Sequence, residues 1–513
     1  VALVLGALVV PTPASAAIFR VGSTADAIDA TPGDGHCAAA PPASGACTLR
    51  AAIEEANSNT DPDAVVLPAG HYVLSVAGDN EDAAASGDLD LTSPVVIGGA
   101  NARTTIVDAH GIDRVFEVLP GADAFIRAVT VTGGTGASGG GGGIEDSGTL
   151  RVDDASISGN SVGSELSGGG IDVAGSLELT RSLVSRNRSV SGGGIKNGGT
   201  LSVVDSTIAR NESGDSGPNH NGNGGGIDAS ANTHTTVAYS TIVGNRCWNG
   251  SGCGAGINNA ASVSSSILAR NIESQAGIPS VPGSCGNGAD HVIDEGHNVD
   301  DVDSNCNLTA STSRRNVSPR LGPLANNGGP TDTFALLVGS PAINRGGNAA
   351  CSPTDQRGAP RKQFAVCDSG SFEVQPAPRI AELRVKPESF RAEGGGVAAT
   401  AGSKPAGATV SYRDSRAART TFTVLRRSRG VRSGKRCVAP PKKPKSGDQS
   451  QRCIRFVPVW SFSHQDVVGS NHFHFSGRHN GTKLRPHRYR LRAVASMWGV
   501  SSKPKHLSLT IVR

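Results

Sequence analysis

The sequence predicts an all-β chain: a right-handed parallel β-helix with an N-terminal capping helix, followed by a small β-sandwich. Three observations predict it. Between Gly139 and Asn271 one short pattern is written five times, and three copies share identical spacing: Ile144, Leu150, Ile157, Asn160; then Ile171, Leu177, Val184, Asn187; then Ile195, Leu201, Ile208, Asn211. Looser copies pass through Ile227, Ile242 and Asn245, and through Ile257, Leu268 and Asn271. Repeats of about 20 to 50 residues mark stacked architectures, because one unit cannot bury its own apolar side. The second observation is local: Leu150-Arg-Val152, Leu177-Glu-Leu179 and Leu201-Ser-Val203 alternate apolar and polar between Gly, Ser, Asn and Asp, as short strands between turns do. The third is composition. With 68 Gly but only 12 Phe and 4 Tyr in 513 residues, the chain is built from turns and small side chains, and a solenoid reaches this length without one globular core.

One coil per repeat and three short strands per coil follow from this spacing. Equivalent residues should stack at about 4.8 Å per rung, with the right-handed crossover that parallel strands favour. The isoleucines and leucines then form an internal column. The asparagines form a ladder at one bend, where their amides bridge successive rungs.

Taken in order, residues 1–16 are an apolar run ending Ala14-Ser15-Ala16, as in the h-region and cleavage site of a secretory signal. Ten cysteines agree with an oxidising destination and fall into neighbouring couples: Cys37 with Cys47, Cys247 with Cys253, Cys285 with Cys306, Cys351 with Cys367, and Cys437 with Cys453. Local closure is the simplest pairing, although spacing alone does not fix it. No CxxC or Cys/His metal spacing occurs, so neither a metal nor a cofactor is expected.

Residues 17–94 read as an N-terminal cap. In Cys47-Thr-Leu-Arg-Ala-Ala-Ile-Glu-Glu-Ala-Asn57, Leu49, Ile53 and Ala56 share a helical face that Thr48 can cap, and such a helix could cover the open end of a solenoid. This segment resembles the CSLREA motif that opens many secreted bacterial β-helix proteins of pectin-lyase-like fold. It departs from the motif at Thr48 and Ala51, where that family has Ser and Glu. Asp63-Ala-Val-Val-Leu-Pro-Ala-Gly-His-Tyr72 matches what usually follows.

The β-helix is expected over residues 95–320, with its first rungs at Val95-Val-Ile97, Thr105-Ile-Val107, Val115-Phe116 and Phe125–Val129. Near its end Asp301, Asp303 and Asn305 suggest a calcium loop, but the Gly at position six and Glu at position twelve of such a loop are missing, so this reads as an acidic turn. Residues 321–375 contain Leu321-Gly-Pro-Leu-Ala-Asn-Asn-Gly-Gly-Pro-Thr331, Gly339-Ser-Pro-Ala-Ile343, Thr354–Arg361 and Cys367-Asp-Ser-Gly-Ser-Phe-Glu373. Together these resemble the choice-of-anchor segment that ends such β-helices. The resemblance implies that the segment closes the helix and precedes surface attachment, and it carries no catalytic residue across.

At residue 376 the composition changes. Residues 376–513 hold 28 Lys and Arg against 6 Asp and Glu, a net charge of +22, which leaves −18 on the rest of a chain whose total is +4. Alternating strands such as Thr421–Leu425, His472–Phe475 and Tyr489–Val494 predict a small β-sandwich, in which Tyr489 after Leu484-Arg-Pro486 resembles a tyrosine corner. The domain is similar to the basic Ig-like tails of secreted actinobacterial proteins. No apolar span of 18 residues occurs in it.

Four groups of residues could carry function. The residue after each repeat isoleucine forms a charged column of Glu145, Asp172, Lys196, Asp228 and Asn258. It reads either as a compensated ion ladder or as a catalytic face, since Asp172 and Asp228 stand two rungs apart, about 9.6 Å, near the upper end of the carboxylate separation in inverting glycosidases. The asparagine ladder reads as structural. The loops that follow it place Trp248 and Asn249 beside Asn219 and His220, a rigid indole among amides that suits stacking on a sugar ring. In the tail, Arg426, Arg427, Lys442 and Lys443 belong to a basic hairpin tied by Cys437 and Cys453. In an exported protein its expected partners are anionic envelope polymers or polysaccharides rather than nucleic acid. The reading is a monomeric, secreted or surface-bound, non-enzymatic β-helix with an adhesive or glycan-binding role. The alternative is a carbohydrate-active enzyme, a polysaccharide lyase or glycoside hydrolase.

Overall fold

A computed structural model describes residues 16–513 except 42, 44, 80, 137–138, 164, 215–221, 249–251, 276–277, 287–291, 303–305, 348–350, 363–365, 394–404 and 441–450. The expected signal segment falls almost wholly outside the described residues, as do Asp303 and Asn305. The chain divides into two compact units, residues 1–374 and 375–513.

The first unit is a parallel β-helix. A ten-stranded sheet runs from Ile18–Arg20 to Ile293–Asp294, a nine-stranded sheet from Gly70–Val73 to Val299–Asp300, and a seven-stranded sheet from Leu89–Leu91 to Ile257–Asn258. Pairing within these three is parallel and in register with the repeat. Ile144, Ile171, Ile195, Ile227 and Ile257 stack directly, as do Ile157, Val184, Ile208, Ile242 and Leu268. All ten side chains are buried in one continuous core, and each contributes roughly 1.5–3 kcal/mol by leaving water.

The coils can stack this closely because of their bends. The last glycine of each triplet touches the next coil: a Cβ on Gly170 or Gly194 would lie 2.5 Å from the carbonyl oxygen of Gly194 or Gly226. Between the ten- and nine-stranded sheets six successive coils each turn through one residue of positive φ: Ala128, Asp154, Arg181, Asp205, Tyr239 and Ser265. The asparagine ladder is continuous and buried. Asn160, Asn187, Asn211 and Asn245 each donate a side-chain N–H to the Oδ1 of the next asparagine at 3.0–3.1 Å, ending at Asn271. A second ladder runs beside it: the hydroxyls of Ser182, Ser206, Ser240 and Ser266 each accept the backbone N–H of the bend one coil earlier, at 3.1–3.2 Å.

Three features differ from the sequence reading. The stack begins within residues 17–94, since Ile18–Arg20, Asp63–Leu67, Gly70–Val73 and Leu89–Leu91 already pair in the sheets. From Arg188 onward each coil has a fourth strand: Arg188–Ser189, Glu212–Ser213, Arg246–Trp248 and Ile272–Gln275 pair in parallel just after the asparagines. The ladder fixes that bend identically in each coil, so the backbone after it meets in register even though its side chains vary. Finally, residues 321–375 lie along the flank of the coils rather than over their end. Arg103 reaches Asp332 at 2.8 Å, Thr207 donates to Gln356 at 2.6 Å, the backbone N–H of Ser371 donates to Thr241 at 3.0 Å, and His297 meets the Arg345 carbonyl at 2.7 Å. At the last coils, Cys285, Cys306 and Leu308 join the coil core.

At the N-terminal end the helix Leu49–Asn57 covers the core with Leu49, Ile53 and Ala56, and Thr48 Oγ accepts from the Ala51 N–H at 3.2 Å. All five local disulfides are formed. Among the described residues no helix is long and apolar enough to cross a membrane.

The second unit is a β-sandwich whose strands pair antiparallel except for Ser389–Arg391, which runs parallel to Lys505–Val512. Ile380–Lys386, Ala408–Asp414 and Gly469–Phe475 form one sheet; Ser389–Arg391, Lys505–Val512, His487–Met497, Arg419–Ser433 and Arg452–Gln465 build the other. Phe390, Val410, Tyr412, Phe422, Leu491 and Ile511 are buried between them. Tyr489 donates to the Arg485 carbonyl at 2.9 Å, as a tyrosine corner requires.

Candidate functional site

The seven-stranded sheet carries the charged column on its outer side. Register places Glu145, Asp172, Lys196, Asp228 and Asn258 in one line, and extends it backwards to Glu117 and Asp90. These two were missed because their coils lack the glycine triplet. Their only signal is the apolar-acid-apolar triplet of Leu89-Asp-Leu91 and Phe116-Glu-Val118.

Compensation runs along the column. Arg114 binds Glu117 and lies 3.2 Å from Glu145. Lys196 Nζ lies 2.6 Å from Asp228 Oδ2, which also accepts the Ser191 hydroxyl, while Asn258 donates to Asp228 Oδ1 at 2.7 Å. Burial raises Asp172 above the usual carboxyl range, and Lys196 opposes the shift. A base must have a lone pair free to take a proton, whereas both oxygens of Asp228 are held by neighbours. From Lys196 to Asn258 the column binds its own charges.

Trp248 ends the fourth strand of its coil. Its indole N–H donates to Glu212 Oε1 on the preceding coil, and the Arg246 guanidinium sits 5.3 Å from the ring centroid. The ring is half-buried and held, and the neighbouring Cys247 is bonded to Cys253. Asn219, His220 and Asn249 lie outside the described residues.

In the second unit, the hairpin of Arg419–Ser433 with Arg452–Gln465 outruns its sheet. His487–Met497 pairs with it only as far as Arg426, while the hairpin continues to Val431 paired with Arg452. Beyond that limit Arg427, Arg429, Arg432, Lys435 and Arg436 are exposed, and Cys437–Cys453 closes the arm. Arg427, Arg429, Arg432, Lys435 and Arg452 line a cleft of about 1070 Å³, and Arg426, Lys483, Arg485 and Trp460 line a second of about 820 Å³, with His487 on the wall of both. Lys442 and Lys443 lie outside the described residues. Sequence reasoning found the arm but not Arg452 at the start of its second strand, Lys483 on the short strand Thr482–Lys483, or Arg485 in the turn that follows.

No protein-family model matches the chain, and no curated protein matches it significantly.

Proposed function

We propose that this is an exported, non-enzymatic β-helix protein with an adhesive or glycan-binding role, held at a cell envelope by its cationic C-terminal unit. The observation that carries the reading is the arginine-lined arm. Five like charges on a narrow ribbon repel one another, and an anionic polymer relieves that repulsion by threading between them. Five disulfides favour an oxidising compartment, and the resemblance to secreted β-helix proteins over Cys47–Asn57 and Leu321–Glu373 points the same way. In that setting acidic polysaccharides and wall polymers are the anions at hand. The internally bound ladder favours display over turnover.

The test is retention of the purified chain on isolated cell walls across a salt series. The intact chain is expected to elute as salt rises, and Arg427→Gln/Arg429→Gln/Arg432→Gln at markedly lower salt. Retention that ignores salt or survives the triple substitution would move the attachment elsewhere. Release of unsaturated or reducing sugar from pectate or alginate, lost in Asp172→Asn, would replace the non-enzymatic reading with the carbohydrate-active one.

A further inference from the structure

From Glu145 onward the charged column has cations set against it, Arg114 beside Glu145 and Lys196 beside Asp228, whereas its first rungs crowd three acids together. Asp90 lies opposite Glu117 on the neighbouring coil, and Asp88 stands two residues before it. One carboxylate oxygen from each of the three lies within 4.8 Å of the other two. Asp88 is 4% exposed and Asp90 0%, and Asp88 Oδ2 and Asp90 Oδ1 are buried oxygens with no hydrogen-bond donor. The facing cation, Arg114, is already divided: it binds Glu117, lies 3.2 Å from Glu145, and comes only to 3.4 Å from Asp88 Oδ2. Glu81 and Asp82 add further negative charge near Asp90.

The surrounding chain keeps these acids from turning out to water. Arg50 of the N-terminal helix is fully buried, paired with Asp26, and donates to the carbonyls of Ala84, Gly87 and Asp88 at 2.8–2.9 Å. The other oxygen of Asp90 accepts the Ala84 N–H at 2.7 Å. Gly87 turns at φ +63°, where a Cβ would lie 2.6 Å from the Gly78 carbonyl. Buried like charges with free oxygens, clamped from three directions, are stable only with a compensating cation or bound protons.

We propose that Asp88, Asp90 and Glu117 hold a divalent cation, Ca2+ by chemical preference, which fastens the N-terminal helix and its loop to the first coils. The donors are all hard oxygens with no imidazole or thiolate among them, which disfavours zinc and copper. Ca2+ tolerates irregular oxygen cages, whereas Mg2+ demands a regular octahedron and gives up its waters reluctantly. The site is independent of the envelope reading, since the cationic tail has no part in it.

The experiment uses the full chain, stripped with chelator and dialysed at pH 8, titrated with CaCl2 by calorimetry and followed by thermal melting. One saturable site is expected, together with a rise of about 3 °C or more in the β-helix transition at saturating ion. MgCl2 should act more weakly. Asp90→Asn should lose the calorimetric site, yet melt in chelator at or above the parent temperature, because it removes repulsion. Asp123→Asn, an exposed acid elsewhere, should keep both responses. If Asp90→Asn does not fold, Asp88→Asn and the parent titration decide. Absence of heat and of any melting shift in the parent at pH 8, or a site that persists in both variants, overturns the proposal and leaves bound protons as the compensation.

Discussion

At the asparagine ladder one amide serves four partners. Asn211 Oδ1 accepts from the backbone N–H and the side-chain N–H of Asn187, while its Nδ2 donates to the Val184 carbonyl and to Asn245, all at 3.0 Å. Asn211→Ala would strand buried donors and acceptors on two coils, at about 1–3 kcal/mol for each group left unpaired. A loss of about 2–5 kcal/mol in denaturant unfolding is expected. Asp146 makes the opposite case. Burial pushes its carboxyl up to about 7, and its Oδ2 is buried with no donor, although Oδ1 accepts the Gly148 N–H at 3.2 Å. Burial likewise raises Glu54 and Glu373 to about 7. A carboxyl whose folded pKa lies above its unfolded one keeps its proton in the native state while the unfolded chain releases it. Its stabilising contribution is therefore present at low pH and is lost as pH rises from about 4 through about 7. In calcium-free buffer the first unit should melt at a lower temperature at pH 8 than at pH 5. Asp146→Asn should flatten part of that slope, since Asn197 in the same column already accepts the N–H of Gly199 in the same way. The ladder asparagines were legible because each stands three residues after a core position. The serine ladder was equally readable, with Ser182, Ser206, Ser240 and Ser266 each two residues before a core position, but period-2 hydrophobicity draws attention away from such a polar column. Asp88 and Glu117 could not be paired from sequence, because only the coil register brings them together.

Among the elements, the strands follow from alternation and the helix from its cap and its apolar face, so both were legible. The fourth strand was not: Arg188-Ser189 and Glu212-Ser213 carry no apolar period, and they pair only because the ladder sets the bend before them. Nor was the course of residues 321–375, whose contacts join Thr207 and Thr241 to Ser371 across separations of 164 and 130 residues. This flanking segment is locked by Arg361. The guanidinium is fully buried, binds Asp205 on a coil bend, lies 3.5 Å from Glu373, donates to the Asp368 and Gly370 carbonyls, and sits 4.8 Å from the Tyr239 ring centroid. Arg361→Met keeps much of the volume but leaves Asp205 and Glu373 buried without their cation, a change that costs about 3–5 kcal/mol. The loss should be local before it is global. Hydrogen exchange is expected to rise across residues 353–373 while the isoleucine column stays protected, and simultaneous loss of protection in both would make the flank and coils one cooperative unit.

For the whole molecule the decisive quantity is how charge is distributed, not its sum. Residues 376–513 carry +22 and the remainder −18, so a total of +4 describes neither unit. At physiological salt, exposed charges more than about 8 Å apart are largely screened from one another, so a surface meets whichever patch it touches. The intact chain should therefore be retained at pH 7 and low salt on a cation exchanger and also on an anion exchanger, and should leave the cation exchanger only at salt well above that expected for a protein of +4. The arginine arm accounts for the first behaviour: Arg427, Arg429 and Arg432 are exposed on the part of the ribbon beyond the pairing with His487–Met497, where Arg432 meets only the short strand Arg436–Val438 on that edge. Arg427→Gln/Arg429→Gln/Arg432→Gln should lower elution salt on the cation exchanger and leave the anion exchanger unchanged, because the acids that hold the chain there lie in the other unit. Weakening on both columns would show that the substitutions act through folding rather than through the arm. Passage through the anion exchanger without retention would show that the acids of the coils are compensated beyond what Arg114 and Lys196 achieve.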